Sequence, residues 1–232
     1  IKHNKSISKY KGTIIVFFFL SKNGAMKRVL LLLSLVFLSC SKSNSEKEYK
    51  DKLLGIIPYK GVNSNDVKVI SKTIEDFYLI QTTILPAKDL PKSAFINIKS
   101  PRYRADSIIR IQNRNKPDSL DFVMGLTTND VSVTKKEKDG SIKKPEWKYN
   151  DFGVMGLAYC PGKSSIISNF RLKNKDKKLE LERFKKVVIH EFGHNLGLPH
   201  CENTHCVMTS AAEKISTIDT EKMELCSKCK KQ

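Results

Sequence analysis

Three histidines and a glutamate near the C-terminus have the types and spacing of a metal site that activates water. His190 and His194 are four residues apart, so on a helix both imidazoles lie on one face and can bind one ion. Glu191 lies at the edge of that face, within reach of a metal-bound water. Gly197 can take the left-handed conformation that ends a helix, and the turn brings His200 back as a third ligand.

The chemistry of such a site depends on its open position. Three protein nitrogens leave a fourth position for water, which is typical of catalytic rather than structural zinc. Zinc lowers the pKa of its bound water from about 15.7 towards about 7 and polarises a substrate carbonyl. Glu191 would take the proton from that water and hand it to the leaving amine. The sequence therefore predicts zinc-dependent hydrolysis of peptide bonds, without a covalent intermediate.

Four cysteines beside these histidines predict a second, closed site. They form two pairs, Cys201 with Cys206 and Cys226 with Cys229. A tetrahedral set of four thiolates suits structural zinc and would crosslink the loop that carries Met208 to the C-terminal tail. Two disulfides are the alternative, because the N-terminus indicates export to a more oxidising compartment. The ligand spacing favours zinc and the location favours disulfides.

The order of these residues resembles the motif of one peptidase family. After His194 the chain continues through Gly197 and His200 to Met208, as in the longer signature of metzincins. One cysteine follows the third histidine directly, and a second follows after four more residues. The last two come after a gap of seventeen residues that follows the methionine. This chain is therefore similar to the archaemetzincin family of zinc metallopeptidases.

The resemblance to archaemetzincins implies two zinc ions per chain. It implies that a catalytic zinc is bound by His190, His194 and His200, with Glu191 as general base and Met208 in the methionine turn beneath the metal. It implies that a structural zinc is bound by Cys201, Cys206, Cys226 and Cys229. The metzincin resemblance further implies a two-part fold, with an edge strand along the upper rim of the cleft.

The N-terminal region predicts export. From Met26 the order is two basic residues, an apolar run over residues 29–38, and then Ser39 and Cys40, which is typical of a secretory signal. The run is shorter than the ~20 apolar residues of a membrane-spanning helix. Residues 37–40 resemble a bacterial lipobox, in which the cysteine is lipidated and becomes the mature N-terminus. We therefore expect an extracytoplasmic bacterial lipoprotein, anchored in the membrane through Cys40.

Four segments follow from these patterns. Residues 1–25 begin with Ile1 and hold a second apolar patch, so we expect an upstream translated or leader segment before a true start at Met26. One long anchor through both patches is the alternative, which the interrupting basic residues disfavour. The remaining segments are a lipoprotein signal peptide over residues 26–39, a polar tether over residues 40–50 and a metallopeptidase domain over residues 51–232.

The charge of the chain bears on its partners. The formal net charge is +18, and residues 1–39 hold seven basic and no acidic residues, so +11 remains from residue 40 onward. No aromatic stacking pattern accompanies the lysines, which indicates a solvated basic surface rather than a nucleic-acid groove. We expect a peptide or protein substrate and no nucleic acid. Attraction of this basic surface to anionic lipid or to acidic substrates is an alternative.

Hydrophobic periodicity predicts an α+β fold with a mixed sheet flanked by helices, an active-site helix and a small C-terminal subdomain from Gly197. The resemblance to metzincins implies that this fold is a metzincin-like zincin with a mixed twisted sheet. Helices are predicted over residues 66–81, from residue 105 to the stop at Pro117, and over 178–196. Strands are predicted over residues 94–98, 120–126, 154–159 and 165–172, with an exposed hairpin or loop over 131–148.

A few residues around the cleft have further predicted roles. The segment Gly153 to Cys160 is our candidate for an edge strand that binds an extended peptide, with a core strand as the alternative. The small residues from Thr209 to Ala212 could wall a pocket beside the metal. His205 is not needed as a ligand, because the cysteines already fill a tetrahedral set. Cys160 is left over and is expected to be a buried free thiol.

Two other functions fit part of the pattern. A catalytically weak zinc-binding or peptide-binding surface lipoprotein would keep the ligands, but Glu191 argues against it. A structural zinc module with a basic adhesive surface would have no use for an open coordination position. The interpretation as a hydrolase accounts for both Glu191 and the open coordination position.

Overall fold

A computed structural model describes residues 49–210 and 214–232, in which the strands form two sheets. The strands are β1 (Leu53–Pro58), β2 (Gln81–Ile84), β3 (Phe95–Asn97), β4 (Pro101–Arg104), β5 (Phe122–Thr127), β6 (Val131–Val133), β7 (Phe152–Val154), β8 (Gly156–Ala158) and β9 (Ser164–Ser168). The helices are α1 (Ser64–Tyr78), α2 (Ala105–Arg114), α3 (Glu146–Tyr149), α4 (Lys177–Asn195) and α5 (Ile215–Thr220).

The larger sheet has five strands in the order β2-β1-β5-β9-β8. The first four strands are parallel, whereas β8 is antiparallel to β9 and forms one edge. Alternate residues of β5 enter two separate apolar clusters: Met124 packs with α1 and α4, and Val123 packs with α2. Helices therefore cover both faces of this sheet, with α1 and α4 on one side and α2 on the other.

The smaller sheet has the order β3-β4-β6-β7. Strand β6 is parallel to β4 and antiparallel to β7. Only Met155 separates β7 from β8, so the chain passes from one sheet to the edge of the other within a single residue. Arg171 stabilises this crossing, because its guanidinium donates two hydrogen bonds of 2.8 Å to Asp130 and lies where a side chain at Gly153 would have to be.

Helix α4, which corresponds to the predicted active-site helix, has defined caps at both ends. The Asp176 side chain accepts hydrogen bonds from the first-turn N–H groups, and beyond Leu196 the turn is made by Gly197 with a φ of 94°. The second half of α4 is buried, from Val187 to Asn195. The chain after Gly197 forms a small C-terminal part that contains α5. The predicted α+β fold, with a mixed sheet, an active-site helix and this C-terminal part, is confirmed.

The prediction of an exposed hairpin or loop over residues 131–148 is wrong at its start. Residues 131–133 form β6, which is largely buried because it pairs with β4 on one side and β7 on the other. Residues 136–142 form a hairpin, with Gly140 in its turn at a φ of 86°, and α3 begins at Glu146. A strand of three residues has a weak sequence signal, since neighbouring strands supply its burial.

Other predicted elements exist with shifted ends. Helix α1 stops at Tyr78 rather than at residue 81, because Leu79 takes a left-handed φ of 53° and the chain continues into β2. Strand β9 ends at Ser168, and Phe170–Leu172 is a 3-10 turn rather than strand. Within the described residues no helix has both the length and the apolar character needed to cross a membrane.

Candidate metal centre and active-site cleft

The three predicted histidines come together at the end of α4. The Nε2 atoms of His190 and His194 are 3.1 Å apart, as their spacing on one helix face requires. His200 returns after the Gly197 turn, and one ligand nitrogen from each histidine lies within 4.8 Å of the other two. Two nitrogens bound to one zinc at about 2.0–2.1 Å with tetrahedral angles lie about 3.3 Å apart, so this set fits the ion.

Backbone carbonyls orient two of the imidazoles. The Nδ1 of His190 donates to the carbonyl of Val207 over 2.8 Å, and the Nδ1 of His194 donates to that of Leu198 over 2.7 Å. A donating Nδ1 places the lone pair on Nε2, the atom that faces the shared ligand position. Both acceptors follow the Gly197 turn, so the C-terminal part fixes the tautomers of ligands that belong to the helix.

Burial keeps these histidines in the form that binds metal. Desolvation lowers the pKa of His190 to about 3, and it also lowers the pKa of His194 and His200. Neutral imidazole is the ligand form, so the site is ready to bind a cation at neutral pH without first losing protons. A second effect acts on His200, whose pKa is lowered further by the positive charge of Lys135.

Glu191 is buried beside the histidines. Its side chain is 4% exposed, and desolvation raises its pKa to about 8. A divalent cation on the three imidazoles would oppose this shift and favour the carboxylate. The main chain of Gly156, in edge strand β8, lies against this side chain: a Cβ there would be 2.7 Å from Oε1 of Glu191.

Met208 packs against helix α4 at Gly193. It is fully buried, and a Cβ at Gly193 would come within 2.5 Å of its sulfur. Tyr78 supports the same region from α1, since its hydroxyl donates to the carbonyl of Ile189 over 2.8 Å. The absence of a side chain at position 193 therefore allows the methionine turn to pack against α4.

The four predicted cysteines form one cluster of free thiols. Cys201 and Cys226 have sulfurs 3.7 Å apart, and those of Cys206 and Cys229 are 3.8 Å apart. Tetrahedral thiolates at about 2.3 Å from zinc lie about 3.8 Å from one another, whereas disulfide sulfurs lie about 2.0 Å apart. The geometry fits a zinc ion, and each close contact joins the 201–206 loop to the tail.

The thiols differ in acidity. Hydrogen bonds from backbone N–H groups, chiefly that of Cys229, lower the pKa of Cys226 to about 6. Desolvation raises the pKa of Cys206 and that of Cys229. Cys226 therefore forms the thiolate that binds metal more readily than Cys206 and Cys229 do.

The prediction of a buried thiol at Cys160 is wrong. The residue is exposed, because β8 ends at Ala158 and the chain leaves the sheet at the rim of the cleft. The Cys160 thiol donates to the carbonyl of Leu198 over 3.5 Å.

The remaining residues with predicted roles lie in several environments. His205 is exposed and belongs to neither ligand group. Thr209 is buried and Ser210 exposed, whereas residues 211 and 212 lie outside the described residues, as does Cys40.

The edge-strand prediction for Gly153–Cys160 is confirmed for β8, which is the outer strand of the larger sheet on the side of Glu191. Sequence analysis missed Asn195, which holds this strand to the helix. Its Nδ2 donates to the carbonyls of Tyr159 and Ser164, over 3.1 and 3.0 Å. The only signal in the sequence was a polar residue directly after His194.

Residues 87–232, more than half of the chain, match the sequence profile of Peptidase family M54. The chain belongs to this family, the archaemetzincins. It is accordingly a zinc metallopeptidase, a hydrolase whose substrates are peptides or proteins. Zinc dependence comes with archaemetzincin membership, and the histidine and cysteine groups are both able to hold a metal ion.

Curated archaemetzincins are similar over most of their length. That of Haloquadratum walsbyi is 28% identical over 186 residues, which cover 76% of this chain and 96% of the relative. That of Methanocaldococcus jannaschii is 31% identical over 185 residues, covering 76% and 90%.

Two solved archaemetzincin structures have similar folds. The structure from Methanopyrus kandleri covers 77% of this chain and 91% of its own, with a TM-score of 0.63 and 24% identity. The structure from Archaeoglobus fulgidus, complexed with malonate, covers 76% and 97%, with a TM-score of 0.60 and 27% identity.

Proposed function

We propose that His190, His194 and His200 hold the catalytic zinc of this peptidase and that Glu191 is its general base. The observation that carries this proposal is the convergence of three neutral imidazoles beside a buried carboxylate, directly under an edge strand. When bound, zinc would supply a water of lowered pKa and would polarise the scissile carbonyl.

The protein residues then have separate roles. Glu191 accepts a proton from the attacking water and delivers it to the leaving amine, for which its buried position excludes competing solvent. Val207 and Leu198 hold two imidazoles in the ligand tautomer through their carbonyls. Met208 supports the helix from below.

Strand β8 is suited to bind the substrate. Among the described residues it pairs with β9 alone, so its other edge can form main-chain hydrogen bonds with an extended peptide. Because the strand passes against Glu191 at Gly156, a peptide added to this edge has its backbone beside the carboxylate. Binding through the main chain orients the scissile bond for a range of sequences.

We propose that the four-cysteine cluster holds a second, structural zinc. Its sulfur separations support zinc rather than disulfides. The carbonyl of Met208 accepts a hydrogen bond of 2.7 Å from the N–H of Cys201, so the cluster is linked to the methionine turn. The second ion would stiffen the floor of the catalytic site.

We also propose that the protein is exported and anchored through a lipidated Cys40. Support comes from the order of basic, apolar and small residues over 26–40, which resembles a lipoprotein signal. Metabolic labelling with a fatty-acid analogue tests this: wild type should incorporate label and Cys40→Ser should not. Label in both proteins, or in neither, contradicts the anchor.

Hydrolysis of a mixed peptide library by the full chain tests the catalytic proposal. Wild type loaded with zinc should cleave library members, and Glu191→Ala should bind the same amount of zinc with activity lower by about 10²-fold or more. Equal cleavage by both proteins, or no cleavage by zinc-loaded wild type, contradicts it. The latter result would favour the weakly active peptide-binding lipoprotein.

A further inference from the structure

Asn195 is a buried polar residue of helix α4 that the catalytic proposal does not use. It follows His194 directly and is 3% exposed. Its Nδ2 donates to the carbonyls of Tyr159 and Ser164, over 3.1 and 3.0 Å, and its Oδ1 has no hydrogen-bond partner among the described residues. Burying an amide is costly unless its hydrogen bonds are made, so the two bonds from Nδ2 account for an asparagine at this position.

Both acceptors belong to the turn that joins β8 to β9. Tyr159 directly follows the last residue of β8, and Ser164 is the first residue of β9. The main-chain N–H of Gly162, in the same turn, donates to the main-chain carbonyl of Asn195 over 3.1 Å. Asn195 therefore docks this turn on the C-terminal end of α4 through its side chain and its main chain.

The hydrogen bonds between β8 and β9 show which main-chain groups of β8 face the open edge. In an antiparallel pair, residues whose N–H and C=O groups point to the partner strand alternate with residues whose groups point away. The carbonyl of Met155 and the N–H of Tyr159 both make hydrogen bonds to β9. The alternate residues Gly156 and Ala158 therefore direct their N–H and C=O groups away from β9, towards the edge that an added peptide occupies.

Strand β8 is held to α4 at two points. At Gly156 the main chain lies against the Glu191 side chain, and the carbonyl of Tyr159 accepts from Asn195. These contacts are separated by about 10 Å along the strand and about 6 Å along the helix. His194 belongs to the stretch of helix between them. The two contacts together therefore set the distance and the angle of β8 relative to this histidine.

We propose that Asn195 is a positioning residue for the peptidase reaction. Its amide fixes the carbonyl of Tyr159 and thereby holds the adjacent open-edge groups of Ala158. The backbone of a peptide bound to those groups is then kept at a defined distance from the histidines. This role rests on the proposed peptidase function and adds to it the residue that aligns the substrate. Asn195 acts through the strand and takes no part in bond cleavage.

Loss of the two side-chain hydrogen bonds should change alignment more than affinity. The open edge keeps the same main-chain groups, so a peptide still binds to it. The end of β8 is released from the helix, however, and a misplacement of about 1 Å costs about 10²-fold in rate. Kinetics of zinc-loaded Asn195→Leu, which removes both donors at similar volume, should show kcat lower by about 10²-fold, with KM within a few-fold of wild type and zinc content unchanged.

Gln112→Leu is the matched control. Gln112 is also a buried amide bonded to Ser164, but it contacts the hydroxyl over 3.0 Å and comes from α2, on the opposite face of the sheet. Its replacement removes a buried hydrogen bond without releasing β8 from α4, so kcat should stay within a few-fold of wild type. Asn195→Ser keeps a hydroxyl donor, and its kcat should lie between those of Asn195→Leu and wild type. This variant replaces Asn195→Leu if the latter does not fold.

Hydrogen exchange gives a readout that does not need turnover. The Tyr159 amide donates to the carbonyl of Ser164, which also accepts from Asn195. In zinc-loaded protein without peptide, this amide should exchange about tenfold faster in Asn195→Leu than in wild type, as expected for the loss of about one hydrogen bond. The same amide should change much less in Gln112→Leu.

Three results overturn the positioning role. The first is an unchanged kcat in folded, zinc-loaded Asn195→Leu. The second is a higher KM at constant kcat, which assigns Asn195 to binding rather than alignment. The third is an equal loss of kcat in Gln112→Leu, which indicates that any loosening of the core lowers activity.

The positioning role and the peptidase function fail in different ways. If zinc-loaded wild type cleaves no peptide, the peptidase function is contradicted, and exchange of the Tyr159 amide still decides whether Asn195 fixes β8. If wild type and Asn195→Leu cleave equally well, the positioning role is contradicted and the peptidase function stands.

Discussion

The backbone of Gly156 contacts the side chain of Glu191 so closely that position 156 has no room for a methyl group. A Cβ there would lie 2.6 Å from Cγ and 2.7 Å from Oε1 of the glutamate. The proposed substrate-binding strand and the proposed general base are therefore in contact. This contact sets the distance between a peptide bound on β8 and the Glu191 carboxylate.

Gly156→Ala should reduce activity strongly while leaving zinc bound. The added methyl displaces Glu191 by up to about 1 Å, and misplacement of that size costs about 10²-fold in rate. Peptide hydrolysis and zinc content, measured on the same sample, check this. Ala158→Gly, in the same strand, is the matched control and should stay within a few-fold of wild type. Normal activity of Gly156→Ala would show that the carboxylate can move without consequence.

Gly193→Ala should destabilise the protein although alanine favours helix. The helix propensity gain is about 1 kcal/mol, whereas overpacking against Met208 and the Tyr78 hydroxyl costs about 1–3 kcal/mol. Urea unfolding of the zinc-loaded protein gives the difference. The double variant Gly193→Ala/Met208→Ala should show a positive coupling, since removing the methionine makes room. Additive effects of the two substitutions would contradict direct contact.

A chelator, and not a reductant, should lower the unfolding temperature of the C-terminal part. The cysteine sulfurs are spaced for zinc, so a mild reductant leaves the crosslink intact, whereas metal removal breaks it. Thermal unfolding with each reagent and the zinc content of Cys226→Ser are the measurements. Cys160→Ser, outside the cluster, should match wild type in both. Sensitivity to reductant alone would indicate disulfides.

Glu221 should make stability fall between about pH 4.5 and pH 8. Desolvation raises its pKa to about 8, with Lys186 partly opposing, so over this range the folded state keeps a proton that the unfolded state has lost. Stability then decreases as pH rises, on the order of 1.4 kcal/mol per pH unit. Urea unfolding at fixed zinc should show this slope in wild type and a smaller one in Glu221→Gln. Identical slopes would contradict a buried, protonated Glu221.

The sequence by itself determined the two candidate ligand sets, because their geometry is largely local. His190 and His194 converge through helix periodicity, and Gly197 ends the helix and turns the chain towards His200. Amphipathic helices α1, α2 and α4 were predicted for the same reason, since their buried faces repeat along the chain. Cysteine spacing likewise indicated one shared cluster, which the structure brings together.

Only the tertiary structure decided what surrounds these ligands. Strands β1, β2, β4 and β6 went unpredicted: β1 is buried on both faces and has no alternation, and the other three are short. The contact of Gly156 with Glu191, the carbonyl of Val207 at His190 and the exposure of Cys160 all join residues distant in sequence. Strand pairing and packing set such contacts, and no spacing along the chain encodes them.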